Sequence, residues 1–341
     1  MAVLGLGKIG HTLAALLASR GCSVTGYTRD REKALAVNRH GITVSGALNG
    51  NFAVRAVTDL DEALDRARYL VVTTTARGHR PLAGQLRGRL RPGQRIIIIT
   101  GNWGAYEFWT QLGDEARDKG VVIGETSGNL AAAPSLTAPA TAVMKPIKSR
   151  MAFAAVPASA APGVVEELRP ALPELYPAAS VLDTSMNNTN PPVHVPVCLL
   201  NITRMANGED AAFYGECMPP LVLELLMAAD AERCAVARAV GAAPKTVLEL
   251  MNEAWQVRYD NIKELGLANP SLRTVRLPKT PYHRFLLEDV PYGFLAVSRL
   301  GRLYGVPTPL IDQMVALYQT LLGDRADMTG PEFSLPLSEV L

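Results

Sequence analysis

Residues 1–31 read MAVLGLGKIGHTLAALLASRGCSVTGYTRDR, and the order of glycines and apolar residues in this stretch decides the fold. A short apolar strand, residues 2–4, runs directly into Gly5-Leu6-Gly7-Lys8-Ile9-Gly10. A helical pattern follows over residues 11–19, then a second strand over 23–27. In a strand–loop–helix of this form each glycine has its own task. Gly5 permits the tight turn, Gly7 lets a pyrophosphate approach the backbone, and Gly10 lets the helix close on the strand. The helix start adds oriented N–H groups and positive potential. Gly5, Gly7, Lys8, Ile9 and Gly10 are therefore candidate contacts to a dinucleotide. The competing reading is a glycine-rich turn with no cofactor, and the strand, helix and second strand together argue against it.

The end of the second strand selects the dinucleotide. About 20 residues past the first glycine, NAD binders place an Asp or Glu on the ribose 2′-OH. Here that position falls on Tyr27 or Thr28, with Arg29 and Arg31 close behind. A hydroxyl and planar guanidinium forks suit a 2′-phosphate. Thr28, Arg29 and Arg31 thus point to NADP(H). NAD(H) is the alternative, with Asp30 on the ribose and both arginines merely solvated.

Working outward, apolar runs recur at residues 69–73, 95–100 and 121–123, with a helical pattern over 105–119 between the last two. Most lack in–out alternation, as expected when both faces of a parallel sheet are covered. Strand–helix repetition of this kind predicts a doubly wound α/β sheet. The pattern changes at the turn-rich run Asn187-Asn188-Thr189-Asn190-Pro191-Pro192. Asn190 is the expected N-cap of a first helix, with Pro191 in its first turn. Residues 221–240 read as a helix stopped by Gly241. Pro244 is expected to open another, running to about Trp255. Asp289 is expected to cap a helix carrying Phe294, Leu295, Val297 and Leu300 and ending near Gly305. Thr308-Pro309 starts the last long helix, through Leu322. The predicted architecture is α/β: residues 1–186 form an N-terminal Rossmann-type doubly wound parallel sheet that binds NADP(H). Residues 187–341 form a C-terminal all-α domain for substrate and catalysis.

The composition agrees. A chain of 341 residues makes about two domains. Lys plus Arg is 34 against 32 for Asp plus Glu, a net charge of +2, so there is no bulk signal for nucleic acid or an acidic membrane. Apolar residues at 48% and charged residues at 19% allow a real core. No apolar run reaches the roughly 18 residues of a membrane span. The apolar N-terminus has no basic leader, and Lys8 and His11 interrupt it, so it is not read as a signal peptide. Cys22, Cys198, Cys217 and Cys234 are too scattered for a disulfide framework or a zinc site, and no metal is expected. Reduced thiols place the chain in the cytoplasm. The expected partners are small molecules, with neither nucleic acid nor membrane. Apolar helices over 221–229 and 314–322 suit a homodimer, although such helices more often serve the core.

The five histidines are His11, His40, His79, His194 and His283. His40 sits in a polar run and is expected in solvent. His11 is expected to pack in the first turn of the cofactor helix. Thr74 and His79 follow the strand at 69–73, at the edge where open sheets bind ligands, and are candidate nicotinamide contacts. For His79 the plainer alternative is an ordinary loop histidine. His194 opens the first helix of the second domain. A helix N-terminus disfavours an imidazolium, so a catalytic histidine there needs a compensating carboxylate. Asp289 is available, although in isolation it reads as a helix cap. The residues by themselves do not pair the two.

A family resemblance does. Three stretches of the first half carry it: Val71 to His79, the run Thr100-Gly101-Asn102-Trp103-Gly104-Ala105-Tyr106-Glu107-Phe108, and Glu125-Thr126-Ser127-Gly128-Asn129. The more specific matches are Asn190-Pro191-Pro192-Val193-His194-Val195-Pro196, Arg284 to Gly293, and Leu300 to Pro309. On these the chain resembles the opine dehydrogenases of the octopine/nopaline dehydrogenase type over most of its length. The resemblance implies that His194 and Asp289 form a catalytic dyad. It also implies NADPH-dependent condensation of an amino acid or amine with an α-keto acid through an imine, giving a secondary amine dicarboxylate. His194 would be the general acid/base and Asp289 would hold one ring nitrogen. Arg284, Asn188, Thr189 and Asn190 lie beside these motifs and are candidates for the substrate carboxylates. Residues 129–133 are more apolar than the family pattern, and residues 329–341 depart from its ending. Two other readings stand beside this one. A ketopantoate-reductase-like 2-keto acid reductase would need a lysine in the helical domain, where Lys245, Lys263 and Lys279 sit in no convincing motif. An NADPH-binding sensor would bind without turnover.

Overall fold

The uninterrupted apolar runs of the first half lie side by side in the computed structural model, which describes residues 1–133, 136–334 and 337. Part of the divergent tail therefore falls outside the described residues. The first unit, Met1–Thr184, contains β1 (Ala2–Leu4), β2 (Thr25–Tyr27), β3 (Ile42–Gly46), β4 (Gly50–Phe52), β5 (Arg55–Val57) and β6 (Tyr69–Val72). It continues with β7 (Arg95–Ile98), β8 (Val122–Thr126), β9 (Leu136–Ala138), β10 (Thr141–Met144), β11 (Met151–Val156) and β12 (Leu175–Pro177). Its helices are α1 (Lys8–Ser19), α2 (Arg31–His40), α3 (Leu60–Leu64), α4 (His79–Leu86), α5 (Gly104–Lys119) and α6 (Ala161–Leu168); α7 (Val181–Met186) follows.

The main sheet has the order β12-β11-β8-β7-β6-β1-β2-β5. From β5 to β8 every neighbouring pair is parallel, which is the strand order of a dinucleotide-binding sheet with its reversal between β1 and β6. Burial explains why these strands read as continuous apolar runs. Ala2, Val3, Leu4, Leu70, Val71, Val72, Ile96, Ile97 and Ile98 are all fully buried.

Two features depart from the sequence expectation. The sheet is mixed: β11 runs antiparallel to β8, and β12 is parallel to β11. No helix separates β8 from β11, and only an antiparallel neighbour can be reached without a crossover helix. A second sheet, β4-β3-β10-β9, was not anticipated. Its short strands are partly exposed, so they carry no apolar run to show them.

The second unit begins at Ser185. It holds α8 (Asn190–Leu200), α9 (Ile202–Ala206), α10 (Pro220–Ala239), α11 (Val247–Trp255), α12 (Ile262–Ala268), α13 (Arg284–Leu287), α14 (Leu295–Tyr304) and α15 (Pro309–Leu322). The twenty-residue α10 packs against α8, α14 and α15. Three boundaries need correction. Asn190 is the first helical residue of α8 rather than its cap; its N–H donates to Asn188 Oδ1 at 3.0 Å. Pro244 does not open α11. Thr246 and Glu249 form a reciprocal capping box there, which outweighs a proline two residues earlier. Asp289 caps nothing with its side chain; it stands before a π-turn over Val290–Phe294 that leads into α14.

A buried ion pair fixes the entry to this unit. Arg233 Nε donates to Asp230 Oδ1 at 2.7 Å, and both side chains are almost fully buried. Arg233 also donates to the carbonyls of Met186 and Lys245, and Asp230 accepts from the Val247 N–H at 2.8 Å. One pair thus ties α10 to the segment before α8 and to the start of α11. Among the described residues, no helix is long and apolar enough to cross a membrane, and all four cysteines are free thiols. Removing one partner of such a pair strands a buried charge. Arg233→Met is therefore expected to lower unfolding free energy by about 3–5 kcal/mol. Asp230→Leu combined with Arg233→Met should recover most of that loss, as measured by urea denaturation.

Candidate active site

The glycine loop leaves β1 at the point where the strand order reverses. Gly5 has φ +114, a conformation open to glycine. A Cβ on Gly10 would sit 1.9 Å from the Gly5 carbonyl oxygen, so α1 closes directly on the turn. At Gly7 nothing lies within 4 Å of where a Cβ would be, and Gly7 and Lys8 are exposed while Ile9 is half-buried. The Gly5 and Leu6 N–H groups donate to the Tyr27 carbonyl, and Thr73 Oγ1 donates to the Gly5 carbonyl at 2.6 Å. The loop is thus held from both sides with its Gly7 face open, a cradle that fits a pyrophosphate at a helix start. His11 is fully buried and bonded to the Gly7 and Pro139 carbonyls, so it packs as expected.

At the end of β2, Asp30 is already engaged. Its carboxylate caps α2 by accepting the Lys33 N–H at 3.0 Å, and the Lys33 ammonium lies 3.6 Å away. Thr28 Oγ1 accepts the Asp30 N–H at 3.2 Å. Arg29 and Arg31 are exposed.

The carboxyl ends of β6 and β7 gather buried polar groups. Thr74 Oγ1, Thr100 Oγ1, both ring nitrogens of His79 and Glu107 Oε2 are buried with no hydrogen-bond partner among the described residues. His79 does not present its ring to a pocket surface: it is fully buried, edge-on to Phe108 at 6.2 Å. Gly104 makes room for it, since a Cβ there would lie 2.8 Å from His79 Nδ1. Desolvation pushes the His79 pKa down to about 3, so the ring stays neutral. Burial raises Glu107 to about 7, with Arg80 opposing the shift and Glu125 adding to it. Glu125, at the end of β8, accepts from the Ala105 N–H at 2.9 Å and from Thr184 Oγ1 at 2.8 Å. It therefore serves as an acidic group at the start of α5. Sequence reading named neither glutamate as functional.

In the second unit His194 lies one turn into α8, and its Nδ1 is 2.6 Å from Asp289 Oδ2. A carboxylate only accepts, so Nδ1 carries the donated hydrogen and Nε2 is left as the basic nitrogen. The Phe285 ring stacks on the imidazole with centroids 3.6 Å apart and planes 14° from parallel. Phe213 meets it edge-on at 5.8 Å. The His194 side chain keeps 13% exposure, so the clamp does not seal it. Gly293 lets the pair form: a Cβ there would be 2.4 Å from Pro191 Cβ, in the first turn of α8. Cys198, one turn beyond His194, has its thiol pushed well up by burial, with Asp289 adding to the shift, so it stays uncharged.

The substrate candidates fall unequally. Asn190 lies four residues before His194 on the same helical face, and Thr189 precedes it. Arg284 is exposed, with its guanidinium 5.9 Å from the Phe285 ring centre, so it stands beside the clamped histidine. Asn188 is buried and engaged at the start of α8. Phe285 sits inside a motif marked by the family resemblance, whereas Phe213 had no signal in sequence. Of the three lysines, Lys245 pairs with Glu253, and Lys279 lies 4.0 Å from Asp210. Among the described residues, no group of three His, Cys, Asp or Glu side chains is placed to hold a metal.

Known proteins match both units. Residues 177–322 match the family described as NAD/NADP octopine/nopaline dehydrogenase, alpha-helical domain, and residues 1–173 match Ketopantoate reductase PanE/ApbA. An opine dehydrogenase from Arthrobacter sp. (strain 1C) is 32% identical over 325 residues, 94% of this chain and 90% of the relative. An octopine dehydrogenase solved in complex with NADH and agmatine superposes with a TM-score of 0.78 at 19% identity, over 96% of this chain and 92% of the other. NADP+-bound yersinopine dehydrogenase gives 0.77 at 15% identity, over 95% and 93%.

Glu107 yields a pH-dependent prediction. Its folded pKa of about 7 lies above the ordinary 4.5, so between those values the folded state holds the extra proton. The associated stability is complete below about pH 4.5 and is lost as pH rises through about 7. Glu107→Gln should flatten the decline in thermal midpoint between pH 5 and 8, leaving the variant the more stable protein at pH 8. Parallel curves for both proteins would show that Glu107 ionises normally.

Proposed function

Because the chain belongs to the opine dehydrogenase family, and so is an NAD(P)-dependent oxidoreductase acting on CH–NH groups, we propose that it reductively condenses an amino acid or amine with an α-keto acid, using NADPH. The observation that carries the reading is the 2.6 Å pair of His194 and Asp289, with the ring clamped by Phe285 and Nε2 left basic. Asp289 orients the imidazole and stabilises its charged form, as a carboxylate does in a hydrolytic triad. His194 Nε2 moves the protons: as an imidazolium it protonates the carbinolamine hydroxyl, which leaves as water to give the protonated imine (iminium). The dinucleotide, when bound, would supply the hydride that adds to the iminium carbon and so leaves a neutral secondary amine. Gly5, Gly7, Lys8, Ile9 and Gly10 would hold its pyrophosphate, with Thr74 near the same loop. Asn190, Thr189 and Arg284 would meet substrate carboxylates.

NADPH is favoured over NADH by what stands at the end of β2. Asp30 is committed to capping α2, while Thr28, Arg29 and Arg31 offer a hydroxyl and two guanidinium forks. A ketopantoate-reductase-like activity draws support from the match over residues 1–173. It would consume NADPH with a keto acid alone, whereas the proposed reaction requires the amine as well. Four free thiols suit a cytoplasmic setting. Leu221 on α10 and Leu317 and Leu321 on α15 are exposed and suit a homodimer, which sedimentation mass would test.

The decisive assay mixes the protein with NADPH, an α-keto acid and a panel of amino acids and amines. Amine-dependent loss of NADPH absorbance is expected. Tight NADPH binding without turnover for any pair would favour the sensor reading instead. His194→Ala should lower turnover about 10²–10⁴-fold while leaving NADPH affinity nearly unchanged. Replacing Arg29 and Arg31 together with Ala should weaken NADPH binding at least tenfold and leave NADH binding within about twofold. Equal losses for both dinucleotides would remove these arginines from 2′-phosphate recognition.

A further inference from the structure

The first unit has a second cavity, at the amino edge of its main sheet. Two turns lie side by side there, residues 65–68 leading into β6 and residues 91–94 leading into β7. With Arg95, the first residue of β7, they bring Arg66, Arg68, Arg91 and Arg95 around an open cavity of about 420 Å³. The strands β1, β6 and β7 run parallel, and the glycine loop leaves β1 at its carboxyl end. The arginine cavity and the dinucleotide loop therefore lie at opposite edges of the same sheet.

The cavity walls are held in place. Gln94 is buried, and its side-chain amide donates to the Ala67 carbonyl at 2.8 Å and accepts the Arg91 N–H at 2.8 Å. One side chain thus staples the two arginine-bearing turns together. The Arg95 N–H adds a bond to the Arg68 carbonyl at 2.9 Å. Arg95 is the least exposed of the four arginines, and its Nε is buried with no hydrogen-bond partner among the described residues. Arg66 has φ +58, just past the end of α3, at a left-handed position that favours glycine.

The charge is unbalanced. Among the described residues, two carboxylates lie in salt-bridge range of the four guanidiniums, and each is shared between two of them. Asp65 is 3.0 Å from Arg91 and 3.7 Å from Arg66. Glu167 is 3.1 Å from Arg68 and 3.2 Å from Arg95, and it also accepts from the Tyr69 hydroxyl at 3.3 Å. Two positive charges are left in excess around one concavity. The plain alternative is a set of solvated surface ion pairs, which contribute little to stability. That alternative accounts for neither the excess charge, nor the buried staple, nor an arginine kept where glycine fits the backbone better.

We propose that this cavity binds a small phosphorylated molecule through a phosphate or diphosphate group, at a site separate from the dinucleotide loop. The assignment does not rest on the reaction proposed above. A cavity of this size is in the range of small-molecule sites. The planar guanidinium fork matches phosphate oxygens, and one phosphate group carries about two negative charges, which meets the excess. A carboxylate brings a single charge, and Asp65 and Glu167 already supply that group.

The test is calorimetric titration of inorganic pyrophosphate into the NADPH-saturated protein at about 150 mM salt, where long-range attraction to exposed charge is screened. Wild type should bind. Arg66→Gly should weaken binding about 3–10-fold, and Arg66→Gly with Arg91→Ala about 10–100-fold. The thermal midpoint of Arg66→Gly should be equal to or above that of wild type, because glycine suits the left-handed backbone. Lost binding then cannot be ascribed to unfolding. Absence of binding by wild type, or equal binding by wild type and the double variant, overturns the proposal. Citrate binding as tightly as pyrophosphate overturns the choice of phosphate. Should NADPH itself not bind, the dinucleotide reading fails on its own. Pyrophosphate is then titrated into the free protein, and the same variants decide.

Discussion

The close approach of Gly293 to Pro191 governs the chemistry of the helical unit. The first turn of α8 packs so tightly on the π-turn that a single methyl group at position 293 would lie 2.4 Å from Pro191 Cβ. That contact sets the distance between the two elements carrying His194 and Asp289, and so allows the 2.6 Å pair. The state of the histidine derives from this pair. The carboxylate selects the tautomer, the tautomer leaves Nε2 basic, and Phe285 holds the ring in plane. Asp289 performs this task at the expense of the cap that its position invites. The turn after it closes instead through its backbone, with the Phe294 N–H donating to the Asp289 carbonyl at 3.2 Å, the wider spacing of a π-turn. Such turns recur at functional sites because they re-aim side chains within a helix.

The first unit uses the same device. Gly10 against Gly5, Gly101 against Glu125 and Gly104 against His79 are all approaches that a Cβ would prevent. They draw loops and helix starts onto the carboxyl edge of the sheet. That edge also holds buried polar groups with no hydrogen-bond partner among the described residues, including Thr74, Thr100, His79 and Glu107. Each unpartnered buried group costs about 1–3 kcal/mol, a burden a purely structural interior would shed. Others occur at Arg95, Ser271 and Asp327, but four of the residues that carry such groups lie at this edge, as in an edge organised for binding.

Legibility varied with the range of the interaction. The parallel strands were readable because both faces are buried, so each strand is one apolar run. The short strands of the second sheet alternate or lie exposed, and they escaped notice. The helices of the second unit were readable from periodicity, but their ends moved wherever a side chain found a different partner. Thr246 with Glu249 displaced Pro244, and Asn188 took the bond expected of Asn190. His79 looked like a pocket residue from its place after β6, yet packing against Phe108 and Gly104 withdrew it entirely.

By itself the sequence determined what local backbone chemistry and burial patterns determine. It specified a glycine loop between an apolar strand and a helix, a basic rather than acidic end to β2, and a change from alternating strands and helices to helices alone. His194 and Asp289 were paired in advance only through resemblance, because 95 residues separate them and no spacing rule spans that distance. Tertiary structure alone decided which polar side chains meet. It gave Asp289 to His194 instead of to its own helix and spent Asp30 on α2. Hydrogen bonds and ion pairs act over a few ångströms, and only the packed chain determines which groups come that close.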